Sequence, residues 1–367
     1  MRILFVLSSM PIGGLEVFTV NLASRLASKG NEVWILIFKS GQKCVDLLKE
    51  ANVHLIAADR NSKYNPLFIS KIYETLKTVR PHAIVSLSEF AYFFAELMNQ
   101  VLGLKTPHCI RFAWSRPITR WDKIVSRFLI MFSKLWSAYY IFVSRIQAEH
   151  YISAYNLPTR SCHLIYSGID TDFFHPRFKK RNRTFTVAHV ANIRPVKDQM
   201  VLFRSLEKLD RMFKKWRLLF VGEDRYGLLS SFKGFLSGKQ MLSKVKFMVT
   251  HDRSKIRDVL SSSDVFVLTS LSEGLPNAPL EAMSVGIPCV LTNVGGCREI
   301  LQEGCNGYLI NTGDHEALAS TLFTLQKNRK SLLRMGRNAR RSIISRFSLN
   351  SCTDDYLRVL QDISSDR

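Results

Sequence analysis

Acidic residues are scarce in this chain relative to basic ones. Its 367 residues include 30 Asp and Glu against 52 Lys and Arg, which gives a formal net charge of +22. Such an excess favours anionic partners, among them nucleic acid, acidic lipid and phosphorylated small molecules. Long apolar runs are also missing. Because no apolar stretch reaches about eighteen residues, the sequence does not predict an integral membrane protein.

Cysteine pairs at metal-binding spacing are absent as well. The seven cysteines are scattered, odd in number and never arranged as Cys-x-x-Cys, which is typical of a reduced, cytoplasmic protein. The N-terminus carries one basic residue and an apolar run of only Ile3 to Leu7, so it suits a buried first strand better than a signal peptide. The absence of Gly-x-Gly-x-x-Gly disfavours a dinucleotide oxidoreductase.

Short apolar runs instead alternate with amphipathic segments along the chain. Eleven runs are expected to be strands: 3–7, 32–38, 82–87, 107–112, 138–144, 185–191, 216–222, 245–249, 264–270, 287–292 and 307–310. Continuous apolar strands between helices predict parallel sheets with helices on both faces. The basic segment 175–185 has no core pattern and is interpreted as a linker. We therefore expect two doubly wound α/β domains, with a ligand at the carboxyl ends of the strands, in the cleft between the domains.

Two glutamates, Glu273 and Glu281, are separated by seven residues in the stretch SEGLPNAPLEAM (272–283). A buried strand precedes this stretch, and Asn277 is expected to cap a helix that ends at Gly286. Glu273 would lie in the strand-to-helix loop and Glu281 about one turn into the helix. The helix N-terminus between them is a site for an anion. The pattern predicts a sugar–diphosphate–ribose ligand, with the diphosphate at the helix start and sugar hydroxyls on the two carboxylates.

This stretch resembles the Glu-x7-Glu signature of retaining glycosyltransferases of family 4, whose GT-B fold has two Rossmann-like doubly wound domains facing across a cleft. The similarity extends over nearly the whole chain and includes these segments in the family's order: SGIDTDFF (167–174), VGGCREIL (294–301) and GCNGYLI (304–310). The resemblance implies that Glu273 contacts the hydroxyls of the donor sugar and Glu281 the ribose of the nucleotide. The residues between them are expected to bind the donor: Gly274, Leu275, Pro276 and Asn277.

The first strand is followed by the glycine loop PIGGLE (11–16). Gly13 and Gly14 allow the backbone to approach a ligand closely. The family has a similar loop near the diphosphate, so both glycines are expected to bind the donor. The alternative is a glycine turn with no ligand role.

A phosphate-binding pair is expected after the strand that ends near residue 191. ANIRPVKD (191–198) resembles the family's Arg-x4-Lys clamp, in which Lys197 matches the lysine. The arginine position is Asn192, a departure from the family, and Arg194 two residues on either replaces it or is a solvated loop residue. Lys197 is expected to stabilise charge on the leaving diphosphate. Gly222, in FVGEDRYG, resembles the turn beneath the nucleotide base and is expected to allow close approach.

The Asp-x-Asp sequence of Asp170 and Asp172 permits another interpretation, because a different glycosyltransferase fold uses this pattern to hold a divalent metal. Here it stands in a segment that resembles this family's loop before the linker. We therefore expect no metal site and no cofactor other than the donor substrate, a nucleotide diphosphate sugar and most simply a UDP-sugar. Activity in the presence of a chelator is the corresponding expectation.

The acceptor side resembles the family less closely. His108 comes at the start of its strand, too early to match the histidine of many relatives, while Arg111 and Arg116 are polar candidates near the strand's end. Glu89 is the only carboxylate in the preceding segment SLSEF. No catalytic base is assigned, since retention in this family is usually explained by attack on the front face of the donor, where the leaving phosphate takes the proton.

The segment 120–136 is amphipathic at helical spacing, with basic residues placed outside: Arg120, Lys123, Arg127 and Lys134. Such a helix can lie on anionic lipid. An ordinary packed helix with basic outer residues is the alternative. With the overall charge, the segment favours an acceptor carried on a membrane lipid.

These observations predict three regions: an acceptor-binding domain at 1–178, a nucleotide-sugar-binding domain at 179–345, and a C-terminal helix at 346–367 that returns to the first domain. The predicted function is metal-independent, retaining transfer of a hexose-type sugar from a nucleotide diphosphate sugar to a lipid-linked or oligosaccharide acceptor, in the building of bacterial surface glycan. The expected location is cytoplasmic and peripheral to an anionic membrane surface. The alternatives are a nucleotide-sugar 2-epimerase of similar fold and a basic nucleic-acid binder. The latter is disfavoured because no aromatic–basic motif is present, so no nucleic acid partner is expected.

Overall fold

The computed structural model describes residues 1–8, 14–39, 52–58, 67–112, 120–177 and 184–365; at Leu67 and residues 120–123 it describes the backbone only. The chain divides into two compact units. Unit 1 comprises Met1–Gly168 together with Leu349–Arg367, and unit 2 comprises Ile169–Ser348.

Unit 1 contains a parallel sheet in the order β3-β2-β1-β4-β5-β6-β7. Its strands are β1 (Arg2–Leu7), β2 (Glu32–Ile37), β3 (His54–Ala57), β4 (Ala83–Ser86), β5 (His108–Phe112), β6 (Tyr139–Phe142) and β7 (Cys162–Leu164). The strand order reverses between β1 and β4, which is the position where doubly wound sheets bind ligands. The edge strands β3 and β7 were not predicted, because they are short and are not the continuous apolar runs of the buried strands.

Helices connect these strands and cover the sheet. They are α1 (Gly14–Ser28), α2 (Leu67–Val79), α3 (Glu89–Val101), α4 (Arg120–Leu135) and α5 (Arg145–Tyr155). The strand β1 is buried from Ile3 to Leu7 and lies in the middle of the core, as its apolar run predicts.

Unit 2 repeats this plan with a six-stranded parallel sheet in the order β10-β9-β8-β11-β12-β13. Its strands are β8 (Phe185–Val190), β9 (Trp216–Val221), β10 (Val245–Met248), β11 (Val265–Leu268), β12 (Cys289–Thr292) and β13 (Gly307–Ile310). Its helices are α6 (Gln199–Met212), α7 (Leu229–Gly238), α8 (Arg253–Ser261), α9 (Asn277–Ser284), α10 (Cys297–Ile300), α11 (His315–Lys327) and α12 (Arg329–Arg346). The order reverses between β8 and β11, so unit 2 has its own switch point.

The last helix, α13 (Leu349–Ser365), belongs to unit 1. Tyr356 on α13 is fully buried and packs against Phe18 of α1, with 6.5 Å between the ring centroids. The chain therefore leaves unit 1 once and ends in it.

The observed division falls before the predicted boundary at 178, because residues 169–177 belong to unit 2. Phe174 is buried there, and its carbonyl accepts hydrogen bonds from Ser284 Oγ (2.6 Å) and Arg340 Nη1 (3.1 Å). These contacts connect the segment to α9 and α12. The predicted linker extends into residues 178–183, which lie outside the described residues. Within the described part of the chain, no helix is both long enough and apolar enough to cross a bilayer.

Candidate active site

The switch point of unit 2 brings two predicted residues together. Lys197 follows β8 in a short 3₁₀ turn, and Glu273 follows β11 in the loop before α9. Because β8 and β11 are adjacent and parallel, their carboxyl ends meet at the same edge of the sheet. Thr269 Oγ1 donates to the carbonyls of Lys197 (3.1 Å) and Asp198 (3.0 Å), which joins the two loops.

Lys197 and Glu273 form a largely buried ion pair. Lys197 Nζ lies 2.5 Å from Glu273 Oε1. Ser270 Oγ donates to the same carboxylate oxygen over 2.6 Å. Hydrogen bonds to an ionised carboxylate are the stronger kind, and two donors define its orientation. The sequence predicted both ionic residues but missed Ser270, whose only signal was a polar residue directly after a buried strand.

A glycine after β12 allows a third loop to pack on Glu273. Gly295 has a φ of +46°, and a Cβ placed on it would lie 1.8 Å from the carbonyl oxygen of Glu273. The next residue, Gly296, donates its N–H to the carbonyl of Gly274 (2.8 Å). The VGG sequence therefore supports the Glu273–Gly274 backbone by direct contact.

Gly222 makes a close approach of the same kind, to the backbone of Ala191 at the end of β8 rather than to a ligand. A Cβ on Gly222 would lie 2.0 Å from the carbonyl oxygen of Ala191. Asn192, which stands where the family has arginine, accepts a hydrogen bond on Oδ1 from the N–H of Glu223 (3.2 Å). The Arg194 guanidinium lies 6.0 Å from the ring centroid of Tyr226. Asn192 thus holds the turn after β9, and donor binding by Asn192, Arg194 and Gly222 stays a prediction.

The helix between the two glutamates begins without a side-chain cap. Pro276 occupies the cap position in an extended conformation, and Asn277 is the first helical residue, so the expectation that Asn277 caps the helix was wrong. The rigid φ of proline favours this extended entry into a helix. Since the cap residue Pro276 has no side-chain acceptor, the N-terminal end of the α9 dipole is a suitable place for an anion.

Glu281 lies in a different environment from Glu273. It is partly buried on α9, and burial raises its pKa from the ordinary 4.5 to about 7, while the charge of Arg253 acts in the opposite direction. Arg253 itself packs over Phe173, with 4.5 Å from Cζ to the ring centroid. The two glutamates therefore have separate cationic neighbours, Lys197 for one and Arg253 for the other.

A buried histidine beneath this site was not predicted. His189 on β8 is fully buried, and its Nδ1–H donates to the carbonyl of Val267 (3.0 Å). Burial, helped by the charge of Lys197 and opposed by the hydrogen bond to Val267, lowers the pKa of His189 to about 4. His189 is therefore neutral at physiological pH and adds no charge beside the ion pair.

The Asp-x-Asp segment forms a local turn. Asp170 Oδ1 accepts hydrogen bonds from the N–H groups of Asp172 (3.2 Å) and Phe173 (2.9 Å). Such a turn is a common use of aspartate in a loop. Across the described residues, no group of three or more His, Cys, Asp or Glu side chains has the geometry to hold a metal ion.

In unit 1 the switch point lies between β1 and β4. The hydroxyls of Ser8 and Ser88 are 2.7 Å apart there, and Ser88 Oγ accepts a hydrogen bond from Ala91 N (3.2 Å) at the start of α3. Glu89 is the next residue. Burial raises the pKa of Glu89, and Ser126 Oγ on α4 donates to its Oε1 over 3.4 Å. The single predicted acceptor-side carboxylate therefore lies at the edge where a ligand is expected.

The other residues predicted on the acceptor side are either buried away from a ligand or lie outside the described residues. Arg111 is buried in the core of unit 1, where Nη2 donates to Ser167 Oγ (2.8 Å) and the guanidinium packs over Phe18, so it is not exposed to a ligand. His108 is buried at the start of β5. Gly14 begins α1, while Gly13 and Arg116 lie outside the described residues.

Comparison with family profiles identifies the class of protein. A family profile described as glycosyl transferases group 1 matches residues 170–342, and one described as glycosyltransferase family 4 matches residues 12–173. The two profiles together cover most of the chain, which therefore belongs to the glycosyltransferases that they describe. This confirms the predicted resemblance to glycosyltransferase family 4.

Individual relatives have low sequence identity to this chain. The N-acetyl-alpha-D-glucosaminyl L-malate synthase of Bacillus anthracis is 28% identical over 178 residues, 48% of this chain and 45% of the relative. An Escherichia coli UDP-Gal:alpha-D-GlcNAc-diphosphoundecaprenol alpha-1,3-galactosyltransferase is 25% identical over 239 residues, 62% of this chain and 61% of the relative. The chain thus spans about half the length of these curated relatives.

Among solved structures, HepE of Anabaena in complex with UDP superposes with a TM-score of 0.83 at 19% identity, covering 99% of this chain and 100% of that one. This similarity, together with the two parallel sheets and their helices, confirms the predicted α/β, GT-B-type fold class.

Proposed function

We propose that this chain is a retaining glycosyltransferase that moves a hexose-type sugar from a nucleotide diphosphate sugar to a lipid-linked or polysaccharide acceptor. The observation that carries the proposal is the Lys197–Glu273 pair, 2.5 Å apart at the switch point of unit 2, beside the uncapped start of α9. The family supports sugar transfer. The UDP in the HepE structure and the UDP-galactose in the name of the E. coli relative support a UDP-sugar donor.

Each group in unit 2 has a role that fits such a donor. The start of α9 and Lys197 bind the diphosphate, since both present positive charge to the same edge of the sheet. Lys197 has three N–H donors, so it keeps its bond to Glu273 while it binds phosphate. Glu273 accepts hydrogen bonds from the hydroxyls of the donor sugar, and Glu281 from the ribose. No metal or other cofactor takes part in this proposal.

The chemistry then needs no carboxylate as nucleophile. The acceptor hydroxyl attacks the anomeric carbon on the face from which the diphosphate leaves. The new carbon–oxygen bond forms as the bond to the phosphate oxygen breaks, and the hydroxyl proton moves to a diphosphate oxygen. Lys197 stabilises the negative charge that develops on the leaving group. Electrostatic stabilisation of this kind is usually the largest single contribution to an enzyme's rate enhancement.

The acceptor and the location complete the proposal. The E. coli relative is named for a sugar acceptor on diphosphoundecaprenol, and the Bacillus subtilis relatives EpsF and EpsD are described as putative glycosyltransferases. We propose that unit 1 binds an acceptor of a bacterial surface glycan, such as a capsule, O-antigen or exopolysaccharide. The protein would then act in the cytoplasm, peripherally at the inner face of the cell membrane.

A thermal-shift screen tests the donor. Nucleotide diphosphates and nucleotide sugars are added to the purified full chain, and a ligand that binds only the folded state raises the melting temperature. The expected result is a shift with UDP and a UDP-sugar. The donor is also incubated alone, because 2-epimerisation of the sugar without an acceptor would replace this proposal with the epimerase.

Glu273→Ala tests the site. It should fold and lose transfer of sugar to acceptor lipids extracted from bacterial membranes. The matched control is Glu303→Ala, which removes an exposed acid of the same unit and should leave transfer unchanged. Turnover by Glu273→Ala at the wild-type rate would contradict the assignment of this site.

A further inference from the structure

Helix α4 has a second apolar side that faces solvent. Five large apolar side chains, here called the outer stripe, are half or more exposed: Ile124 58%, Val125 50%, Phe128 52%, Met131 56% and Leu135 74%. Elsewhere in the described chain, exposed large apolar side chains occur singly or as a spaced pair on α12. Scattered single side chains are normal on protein surfaces, whereas a contiguous apolar patch marks an interaction site.

The outer stripe follows from helical spacing. Apart from Val125, its members are four, three and four residues apart, so they project from one face of α4. The opposite face is used within unit 1, where Ile130 and Ser133 are buried. Phe132 packs edge to face on Phe93 of α3, with 5.6 Å between ring centroids. The helix therefore anchors one apolar face in the unit and leaves the other uncovered.

The charged side chains beside the outer stripe are basic. Arg127 and Lys134 are exposed, and residues 124–135 contain no acid. Lys134 Nζ also donates to the carbonyl of Tyr155 (3.3 Å), which holds it next to the stripe. An apolar face bordered by Lys and Arg is the pattern of a helix that lies in the interface of an anionic bilayer. In a two-fold contact with a second copy, the same cations would face one another, which disfavours self-association.

We propose that α4 docks this protein on an anionic phospholipid bilayer. The outer stripe enters the boundary between headgroups and acyl chains, and Arg127 and Lys134 contact lipid phosphates. The apolar side chains carry the binding, and the cations select anionic lipid. The sequence predicted an amphipathic helix with basic residues outside, and the structure adds that apolar side chains are exposed on it as well.

A contact inside unit 1 connects this helix to the acceptor edge. Ser126 lies next to Val125 on α4, and its Oγ donates to Glu89 Oε1 (3.4 Å). Glu89 is the first residue of α3, the helix that follows β4 at the switch point of the sheet. When α4 is docked, the Ser126–Glu89 contact would therefore connect the membrane-bound helix to the carboxyl edge of the unit 1 sheet. A hydroxyl carried on a lipid should arrive at this edge. This step rests on the proposed function, whereas bilayer docking itself does not.

Vesicle sedimentation with the full chain tests the docking. The probes are vesicles of phosphatidylcholine alone and of phosphatidylcholine mixed with phosphatidylglycerol. The paired substitution Phe128→Ser and Met131→Ser removes apolar surface without changing charge and should lower partitioning at least about tenfold. The matched control is Val101→Ser, an equally exposed valine (63%) on the neighbouring α3, and it should bind as the wild type does. Thermal melting shows that both proteins fold, and a modest decrease is expected for the paired variant because the Phe128 ring packs edge to face on Phe132, with 4.8 Å between ring centroids.

Three results would overturn the proposal. The first is undiminished vesicle binding by the paired variant. The second is wild-type binding that disappears completely in high salt, which would mean electrostatic adsorption without insertion. The third is a wild-type dimer that the paired substitution converts to a monomer, with no vesicle binding, which would assign the outer stripe to a second copy. The donor-induced thermal shift is measured on the same variants. Its absence from the wild type would count against the proposed function and leave the docking result standing.

Discussion

Replacement of Gly295 by alanine should disturb the active-site loop more than its backbone conformation alone predicts. The new Cβ would lie 1.8 Å from the carbonyl oxygen of Glu273, and the φ of +46° disfavours any L side chain. The left-handed conformation costs about 1–2 kcal/mol. The overlap with backbone atoms adds a further cost of roughly 1–3 kcal/mol, which is typical of overpacking.

Gly313 provides the matched control. Its φ is +78°, yet a Cβ there would meet nothing within 4 Å, so Gly313→Ala carries only the conformational cost. The difference between the two variants in the free energy of unfolding, measured in urea, therefore isolates the overlap. Relief of the overlap must move the Glu273 backbone and hence the carboxylate that lies 2.5 Å from Lys197.

Binding of a UDP-sugar is measured on both variants by calorimetry. We expect Gly295→Ala to bind weakly and Gly313→Ala to bind normally. Equal losses of stability together with equal binding would refute the reasoning that the VGG loop supports Glu273.

Three further predictions concern single side chains. Ser270→Ala removes a donor to the Glu273 carboxylate and should lower kcat/KM by about one to two orders of magnitude in a transfer assay, since a bond to a charged group contributes about 1.5–3 kcal/mol; an unchanged value would contradict the orienting role. The raised pKa of Glu281 favours the folded state fully below pH 4.5, and this advantage, up to about 3 kcal/mol, is lost as the pH rises to about 7. Glu281→Gln should weaken the dependence of the free energy of unfolding on pH between 4.5 and about 7, and an unaltered dependence would contradict the raised pKa. Arg111→Met should melt at or above the wild-type temperature, because the buried Nε and Nη1 of Arg111 have no hydrogen-bond partner among the described residues; a large loss of stability would show that its bond to Ser167 matters more.

The success of the sequence in predicting strands has a simple cause. A parallel strand covered on both faces must be apolar along its length, so the buried strands β1 and β11 are visible as continuous runs. The strands β3 and β7 lie at the edges of their sheet and lack that signal. Polar residues directly after buried strands marked the site, because the carboxyl ends of parallel strands collect at one edge.

Side-chain partners were less accessible to sequence reasoning. Lys197 and Glu273 are 76 residues apart, and their contact depends on β8 and β11 being neighbours in the sheet. Arg111 was expected near a ligand because it ends a strand. It points to the side of the sheet covered by α1 and α13, where a residue far along the chain, Tyr356, closes the core.

The sequence by itself determined the α/β class, the repetition of a parallel sheet and the residues that end its strands, since all three follow from local burial pattern and spacing. Only the tertiary structure decided which strand ends meet, which glycines support the Glu273 loop and which side of α4 is uncovered. That helix is apolar on two faces. Its packing against α3 buries one of them, and the sequence alone could not say which face would be left for a partner.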